Sequence, residues 1–313
     1  MKTLNALVIA MYITCSLQAQ QKPNEKMKNY TTDSVISKDG TKIGYRQMGH
    51  GPGLIILHGT FESAQSHMEL AEVLSDSFTL YMPDRRGRGT SPYSSQEFSI
   101  QKDIEDLQAI LQKTNTHYVF AVSAGAIIAL HAALQGSFIR KIAIWEPPLV
   151  FDSTKGYAML NRYDKEIAAG RLPDAMVTAM KGGKFAPPIF TMLPRFILRG
   201  FTNKMMKGEE SKATKDDVTM RMLAPTIHHD FKLSLDNIGT KDIFKNIIIP
   251  TLLVGGSKSP KYLKQSVALL EKTIPNNKRV EFKGLNHGGT GSSQWGGNPK
   301  LVAKELLKFF TNP

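Results

Sequence analysis

One segment, Tyr118–Leu130, constrains the fold more than any other part of the chain. It begins with a short apolar and β-branched run, Tyr118–Val122, that is typical of a buried strand. An alanine-rich run follows Ser123 and favours a helix packed closely against a sheet. The sequence therefore predicts a strand, a tight turn and a helix, with Ser123 in the turn.

The small neighbours of Ser123 suggest a chemical role for this turn. Ala121 and Gly125 leave room for a sharply bent backbone, as in a nucleophile elbow, where a serine hydroxyl is lifted clear of the sheet. The amide of Ala124, at the positive end of the helix, would then point toward a reacting oxygen. By itself the pentapeptide also fits an ordinary serine between a strand and a helix, so its interpretation depends on the rest of the chain.

Strand-like segments alternate with helical segments along most of the chain. They are Leu54–Leu57, Phe78–Met82, Ile139–Trp145, Ile247–Val254 and Arg279–Phe282. Before them, Asp39-Gly40 joins two alternating segments and predicts a hairpin. Alternation at these lengths predicts right-handed crossovers and a mostly parallel sheet. We therefore predict an α/β core made of residues 34–146 and 241–313.

The alternation stops in residues 147–240, which have a helical pattern and hold many of the methionines. We interpret this part as an inserted helical cap. Methionine suits the wall of an adaptable apolar pocket, although these side chains are equally compatible with simple packing between small helices.

The N-terminal residues 1–19 resemble a secretory signal peptide. A charged start precedes the apolar segment Leu4–Ile13 and a plausible cleavage site that ends at Ala19. Residues 20–33 are polar and predict a flexible lead-in. We expect a secreted or periplasmic protein with no integral membrane segment after signal removal. Lipid anchoring through Cys15 is less favoured, because the threonine before it is larger than lipoprotein processing usually accepts.

Composition is that of an ordinary globular protein of 313 residues, 41% hydrophobic and 21% charged, with a net charge of +13. The basic residues are scattered and are not interleaved with stacking aromatics, so we expect no nucleic-acid partner. Weak attraction to anionic membranes or acidic polymers stays open.

Several features in a fixed order now support a family resemblance. They are the hairpin, a strand ending in His58-Gly59, the loop Pro83–Ser91, the turn at Ser123, the helical insertion and a late Gly284-x-x-His287. From about Ser34 to its C-terminus the chain resembles the α/β-hydrolase superfamily, in particular its esterase- and lactonase-like branch with a helical cap. The resemblance implies a mostly parallel eight-stranded sheet flanked by helices, with the cap inserted.

The resemblance also implies roles for individual residues. A serine hydroxyl needs a base within hydrogen-bond reach, and His287 is the expected base for Ser123. The expected oxyanion-hole donors are the amides of Ala124 and Thr60, with Phe61 as the alternative to Thr60.

The third member of the triad is where the sequence departs from the superfamily pattern. Most relatives carry an aspartate just after the strand that corresponds to Thr251–Val254, but here no carboxylate occurs between Asp242 and Glu271. We predict that Glu146 is the acid, because it ends the preceding strand, although it could instead anchor the cap. Asp230 is the second candidate. We expect Asp84 to hold its own loop in shape through hydrogen bonds and pairing with arginine.

The leading hypothesis is a serine hydrolase that cleaves a small to medium ester, lactone or related acyl compound through an acyl-enzyme. The alternatives are a lyase or perhydrolase that uses the same Ser/His site, or a non-catalytic ligand-binding homologue. We predict no cofactor, because no glycine-rich segment has the spacing of a dinucleotide or phosphate loop. We also predict no metal, because no group of histidines and carboxylates has the spacing of a metal site.

Overall fold

The computed structural model describes residues 29–92, 98–136, 138–150, 152–183 and 192–312. The predicted signal peptide, Cys15 and most of the predicted lead-in lie outside the described residues.

Eight strands form one sheet in the order β1-β2-β4-β3-β5-β6-β7-β8. They are β1 Thr31–Ile36, β2 Lys42–Gly49, β3 Gly53–Leu57, β4 Thr79–Pro83, β5 Tyr118–Val122, β6 Lys141–Trp145, β7 Thr251–Gly256 and β8 Asn277–Phe282. β2 pairs antiparallel with both β1 and β4, and β3 to β8 pair in parallel. The predicted eight-stranded, mostly parallel sheet is confirmed.

The first strand begins at Thr31, three residues earlier than the predicted start of the core at Ser34. Thr31 to Asp33 belong to the sheet because they pair with Gln47 to Tyr45 on β2. The polar sequence gave no sign of this, since an edge strand needs no apolar face of its own.

Some helices of the described residues cover the two faces of the sheet, and the others lie between β6 and β7 in the chain. They are α1 Met68–Leu74, α2 Ile100–Thr114, α3 Ala124–Leu134, α4 Ser153–Ala168, α5 Leu172–Gly183, α6 Arg195–Glu210, α7 Met220–Leu223, α8 Ile227–Asp236, α9 Lys261–Thr273 and α10 Pro299–Thr311. Alternate residues of the central strands bury opposite faces: Ile55 packs with α2, α3 and α9, whereas Ile56 packs with α1 and α10. This two-sided burial explains why the central strands are continuously apolar.

The helices between β6 and β7 have an apolar cluster of their own. Met159, Met176 and Met206 are buried in this cluster, together with Tyr163 and Phe231. These methionines therefore pack helix against helix, which is the simpler of the two roles that the sequence left open.

A buried ion-pair network attaches α8 to the loop after β4. Asp230 is inaccessible to solvent; its Oδ1 accepts a hydrogen bond from Arg85 at 2.8 Å and its Oδ2 accepts one from Arg88 at 2.5 Å. Asp230 is thus committed to two guanidinium groups, so the structure does not support it as the partner of His287. Two cations without their shared carboxylate would be costly to keep buried.

We expect Asp230→Asn to lower the free energy of unfolding by about 3–5 kcal/mol, because it leaves Arg85 and Arg88 without that charge. Chemical unfolding monitored by circular dichroism measures the loss. Asp236→Asn on the exposed end of the same helix is the matched control. Equal unfolding midpoints for the two variants would contradict a stabilising role for this network.

Candidate active site

The strand order places a site at the carboxyl ends of β3 and β5. After β3 the chain crosses to β4 on one side, and it later returns to β5 on the other side of β3. After β5 the chain crosses to β6, away from β4. The loops that follow β3 and β5 therefore run in opposite directions and leave a crevice between them. His58 to Phe61 follow β3 and Ser123 follows β5, so both segments border this crevice.

Ser123 occupies a strained turn between β5 and α3. Its φ is 53° and its ψ is −118°, a conformation that a residue with a side chain rarely adopts. The amide of Ser123 donates to the carbonyl of Trp145 at 2.8 Å, which ties the turn to the end of β6. These are the features of a nucleophile elbow.

Close backbone approaches explain the glycines around this turn. A Cβ atom on Gly125 would lie 2.4 Å from the carbonyl oxygen of His58, and one on Gly59 would lie 2.9 Å from the Cβ of Ser123. The two loops can approach each other this closely only because both positions lack a side chain.

Glu146 and His287 are in direct contact. Oε2 of Glu146 lies 2.7 Å from Nδ1 of His287, and Oε1 accepts a hydrogen bond from the amide of Gly256 at 2.7 Å. The Glu146 carboxylate is 0% exposed, and its backbone has a φ of 44°. A buried carboxylate on Nδ1 holds the imidazole in the tautomer and orientation that leave Nε2 available as a base.

A glycine at the end of β7 makes room for this carboxylate. β6 and β7 are neighbours with Trp145 opposite Val254, and the amide of Glu146 donates to the carbonyl of Val254 at 3.2 Å. A Cβ atom on Gly255 would lie 2.6 Å from Oε1 of Glu146. The carboxylate that contacts His287 therefore comes from the end of β6, and the end of β7 supplies the space for it.

We expect Gly255→Ala to lower kcat by at least about tenfold with little loss of folding, because the new methyl group must displace the Glu146 carboxylate from His287. Steady-state kinetics together with thermal unfolding measure the two effects. Gly208→Ala on α6 is the control. A Cβ atom on Gly208 has no neighbouring atom within 4 Å, so this change should leave kcat unchanged. Equal kcat values for the two alanine variants would show that the close contact at Gly255 is not needed.

The backbone of the His287 loop is fixed from two sides. The indole Nε1 of Trp145 donates to the carbonyl of His287 at 2.9 Å, and the Asn286 side chain accepts from the amide of Gly288 at 3.0 Å. The imidazole itself is 24% exposed. Among the described residues no hydrogen bond joins it to the Ser123 hydroxyl, which fits a site whose hydrogen bonds shorten only when substrate is bound.

A second carboxylate–imidazole pair, Glu62 and His67, contacts the loop after β3, and sequence reasoning missed it. Oε2 of Glu62 accepts from the amide of Gly59 at 2.6 Å and lies 3.2 Å from Nε2 of His67. Burial would raise the pKa of Glu62, but His67, the Gly59 amide and His287 together lower it. Burial would likewise lower the pKa of His67, but Glu62 and the Thr290 carbonyl raise it. The spacing of Glu62 and His67 matches no motif, so only the fold reveals the pair.

The Glu62–His67 pair predicts a pH-dependent part of the stability. The folded pKa of His67 exceeds its ordinary value of 6.5, so protonated His67 stabilises the fold at low pH and this contribution is lost as pH rises through the folded pKa. We expect the difference in unfolding midpoint between wild type and His67→Gln to shrink from about pH 6 to about pH 9. His50→Gln, at an exposed histidine, is the control. A constant difference across this range would contradict the ion pair.

The two predicted oxyanion donors come from different segments: Thr60 lies in the loop after β3, and Ala124 directly follows Ser123. Thr60 lines the same pocket as Ser123, and the next residue, Phe61, has a φ of 59°. The amides of Thr60 and Ala124 donate to no other described residue. Both are therefore available to a bound oxygen atom.

The pocket beside Ser123 contains about 360 Å³ of atom-free space, part of it open to solvent. Its lining residues are Thr60, Ser123, Pro148, Phe231, Ser234, Leu235 and Tyr262. None of them is methionine, so the expectation of a methionine wall is not met among the described residues. Burial and the charge of Glu146 raise the pKa of Tyr262, which keeps its phenol protonated.

The remaining candidates have structural roles. Asp84 accepts hydrogen bonds from the amides of Ala64 and Thr90 and from the Thr90 hydroxyl, and so holds its loop in shape as predicted. The expected pairing of Asp84 with arginine is not among the described ion pairs. His58 is buried and its Nε2 accepts from the amide of Arg85 at 3.1 Å.

The described ranges lack two features, a metal-binding group of side chains and a membrane-spanning helix. No three His, Cys, Asp or Glu side chains in them are grouped so that they could hold a metal ion. No helix in them is both long and apolar enough to cross a membrane.

Comparison with known proteins identifies the family. A family model described as the alpha/beta hydrolase fold matches residues 52–290. A solved α/β hydrolase from Sphaerobacter thermophilus is 30% identical, with a TM-score of 0.73 over 89% of this chain and 100% of that chain. The uncharacterized hydrolase YraK of Bacillus subtilis is 29% identical over 128 residues, which are 40% of this chain and 47% of that protein, so this match spans about half of the relative's length. A non-heme chloroperoxidase of Kitasatospora aureofaciens is 23% identical over 87% of this chain and 97% of that protein. With a family model matching most of its length, the chain belongs to the α/β-hydrolase fold family.

Proposed function

We propose that this protein is a serine hydrolase that cleaves a small to medium ester, lactone or related acyl substrate through an acyl-enzyme. The observation that carries the proposal is the 2.7 Å contact between Glu146 and His287, which supplies an orienting carboxylate for a base at the same edge of the sheet as the strained Ser123. The relatives from Bacillus subtilis and Sphaerobacter thermophilus are also named as hydrolases.

In this mechanism His287 Nε2 accepts the hydroxyl proton of Ser123 while Oγ forms a bond to the acyl carbon. The carbonyl electrons move to its oxygen, which the amides of Thr60 and Ala124 stabilise, each by about 3 kcal/mol. The intermediate collapses, the bond to the leaving alkoxide breaks, and imidazolium returns the proton to the leaving group. Water then repeats the sequence on the acyl-enzyme, releasing the acid and restoring Ser123.

The pocket favours an uncharged acyl group. Its lining is mostly apolar, with hydroxyl groups from Thr60, Ser234 and Tyr262 and no charged side chain. Desolvating a charged substrate against such walls without a partner would be unfavourable. We therefore expect neutral acyl chains to be preferred over carboxylate-bearing ones.

Perhydrolysis is the second candidate, because the Kitasatospora relative, a non-heme chloroperoxidase, aligns along almost its whole length. In that reaction hydrogen peroxide replaces water in the second step and attacks the same acyl-enzyme, so that the products are a peracid and regenerated serine.

Two measurements test these proposals. A fluorophosphonate probe should label the wild type at Ser123, and a reaction in heavy-oxygen water should place the label in the acid product. If the probe does not label the wild type and the protein hydrolyses none of a broad panel of esters and lactones, the non-catalytic binding alternative would be favoured. Peracid formation that outpaces hydrolysis in peroxide would favour the second candidate.

We further propose export of the protein, on the basis of the N-terminal pattern of residues 1–19. N-terminal sequencing of protein recovered outside the cytoplasm should begin at Gln20. An N-terminus that retains the first 19 residues would contradict the proposed cleavage, and a lipid-modified Cys15 would favour anchoring.

A further inference from the structure

Helix α6, in the layer that follows β6, exposes an apolar ridge. Ile197, Phe201 and Met205 occur at every fourth position and therefore line up along one side of the helix. They are 45%, 45% and 36% exposed, and Phe196, which points to another part of the exposed side of α6, is 68% exposed. Clustered large apolar side chains on a surface often mark a binding site.

Basic side chains lie on the exposed side of the same helix, and two of them, Lys204 and Lys207, are three positions apart and so are neighbours on its surface. Arg199, Lys204 and Lys207 are exposed and form no ion pair with any described residue. The acidic side chains of α6 are directed elsewhere: Glu210 pairs with Arg221, and Glu209 accepts a hydrogen bond from the amide of Met220. The exposed side of α6 is therefore apolar and positively charged.

These properties decide between two possible occupants. A second copy of the chain docked through the same face would bring the basic side chains of one copy against those of the other, and like charges across an interface oppose association. An anionic lipid surface suits both kinds of side chain at once, since apolar side chains enter the acyl boundary while lysine and arginine reach the headgroups. The net charge of +13 adds long-range attraction to such a surface.

We propose that α6 docks this protein on anionic membrane surfaces. The opposite side of α6 buries Met206 in the cluster that also contains Phe231, and Phe231 lines the pocket at Ser123. Binding itself requires no catalysis and can be measured separately from the proposed hydrolase activity.

The test is co-sedimentation of residues 20–313 with phosphatidylcholine vesicles that contain or lack phosphatidylglycerol. We expect binding to the anionic vesicles that falls as salt is added. The double variant Ile197→Ser/Phe201→Ser should reduce the partition coefficient at least about tenfold. Lys204→Ala/Lys207→Ala should reduce it by on the order of tenfold as well.

Ile248→Ser is the matched control, because Ile248 is 77% exposed but lies just before β7, at the end of the sheet away from Ser123. It should bind as the wild type does, and thermal unfolding verifies that each variant is folded. Equal vesicle binding by wild type and Ile197→Ser/Phe201→Ser would overturn the proposal. So would lipid-free dimerisation that the same double variant abolishes, since the occupant would then be a second copy. Absence of ester hydrolysis in the wild type, with its vesicle binding intact, would count only against the proposed enzyme function.

Discussion

Ser123→Ala is expected to lower kcat for a reactive ester by on the order of 10⁵-fold and to abolish labelling by a fluorophosphonate. In the proposed mechanism the acyl-enzyme forms on this hydroxyl, so the chemical step is lost with it. The change should leave the free energy of unfolding nearly unaltered, because alanine keeps the Cβ atom and the same backbone strain at a φ of 53°. Pre-steady-state kinetics on wild type and variant would measure the loss of the acylation step.

Ser234→Ala is the matched control for this experiment. Ser234 lines the same pocket, and its hydroxyl donates to the carbonyl of Asp230 at 2.9 Å. Its removal should change kcat by less than about tenfold, since it touches the substrate without bonding to it covalently. Comparable losses in both variants would mean that Ser123 acts by shaping the pocket and not as a nucleophile.

Glu146→Gln is the second large effect that we expect, with a loss of about 10⁴-fold in kcat. The amide group of glutamine can donate to Nδ1 of His287, which would place the remaining proton on Nε2. An imidazole in that tautomer cannot accept the proton of Ser123. The fold should persist, because glutamine can still accept the hydrogen bond from Gly256. The pH profile of kcat/KM, measured beside kcat, separates a wrong tautomer from simple misfolding.

The control is Glu281→Gln, the same chemical change on an exposed side chain of β8. It should leave kcat and the pH profile as they are in the wild type. If Glu146→Gln behaves in the same way, the acid must be sought elsewhere, and Glu62 would be the first residue to test because its carboxylate neighbours His287.

Local patterns were sufficient for the sheet and for the candidate residues at its edge. The apolar runs 54–57 and 118–122 predicted central strands because strands buried on both faces need apolar side chains at every position. The carboxyl ends of parallel strands share one edge of a sheet, so Ser123 and Glu146 could be expected there together. Their catalytic roles remain predictions until the variants are measured.

Other features could not be predicted because they depend on contacts between distant segments. β1 was assigned too late by three residues, since its pairing with β2 and not its own composition makes it a strand. Asp230 was a candidate acid until the fold placed it between Arg85 and Arg88.

By itself the sequence determined which fold the chain adopts. It also determined that Ser123 and Glu146 follow strands and that His287 lies in a late loop. Both follow from burial periodicity and turn chemistry, which act over a few neighbouring residues. Only the tertiary structure decided that Glu146 reaches His287, 141 residues away, and that Gly255 leaves the space for it. It also decided that Glu62 and His67 form a charged pair beside the site and that α6 turns an apolar ridge outward. Each of these depends on how separate elements pack, and packing distances between elements have no period along the chain.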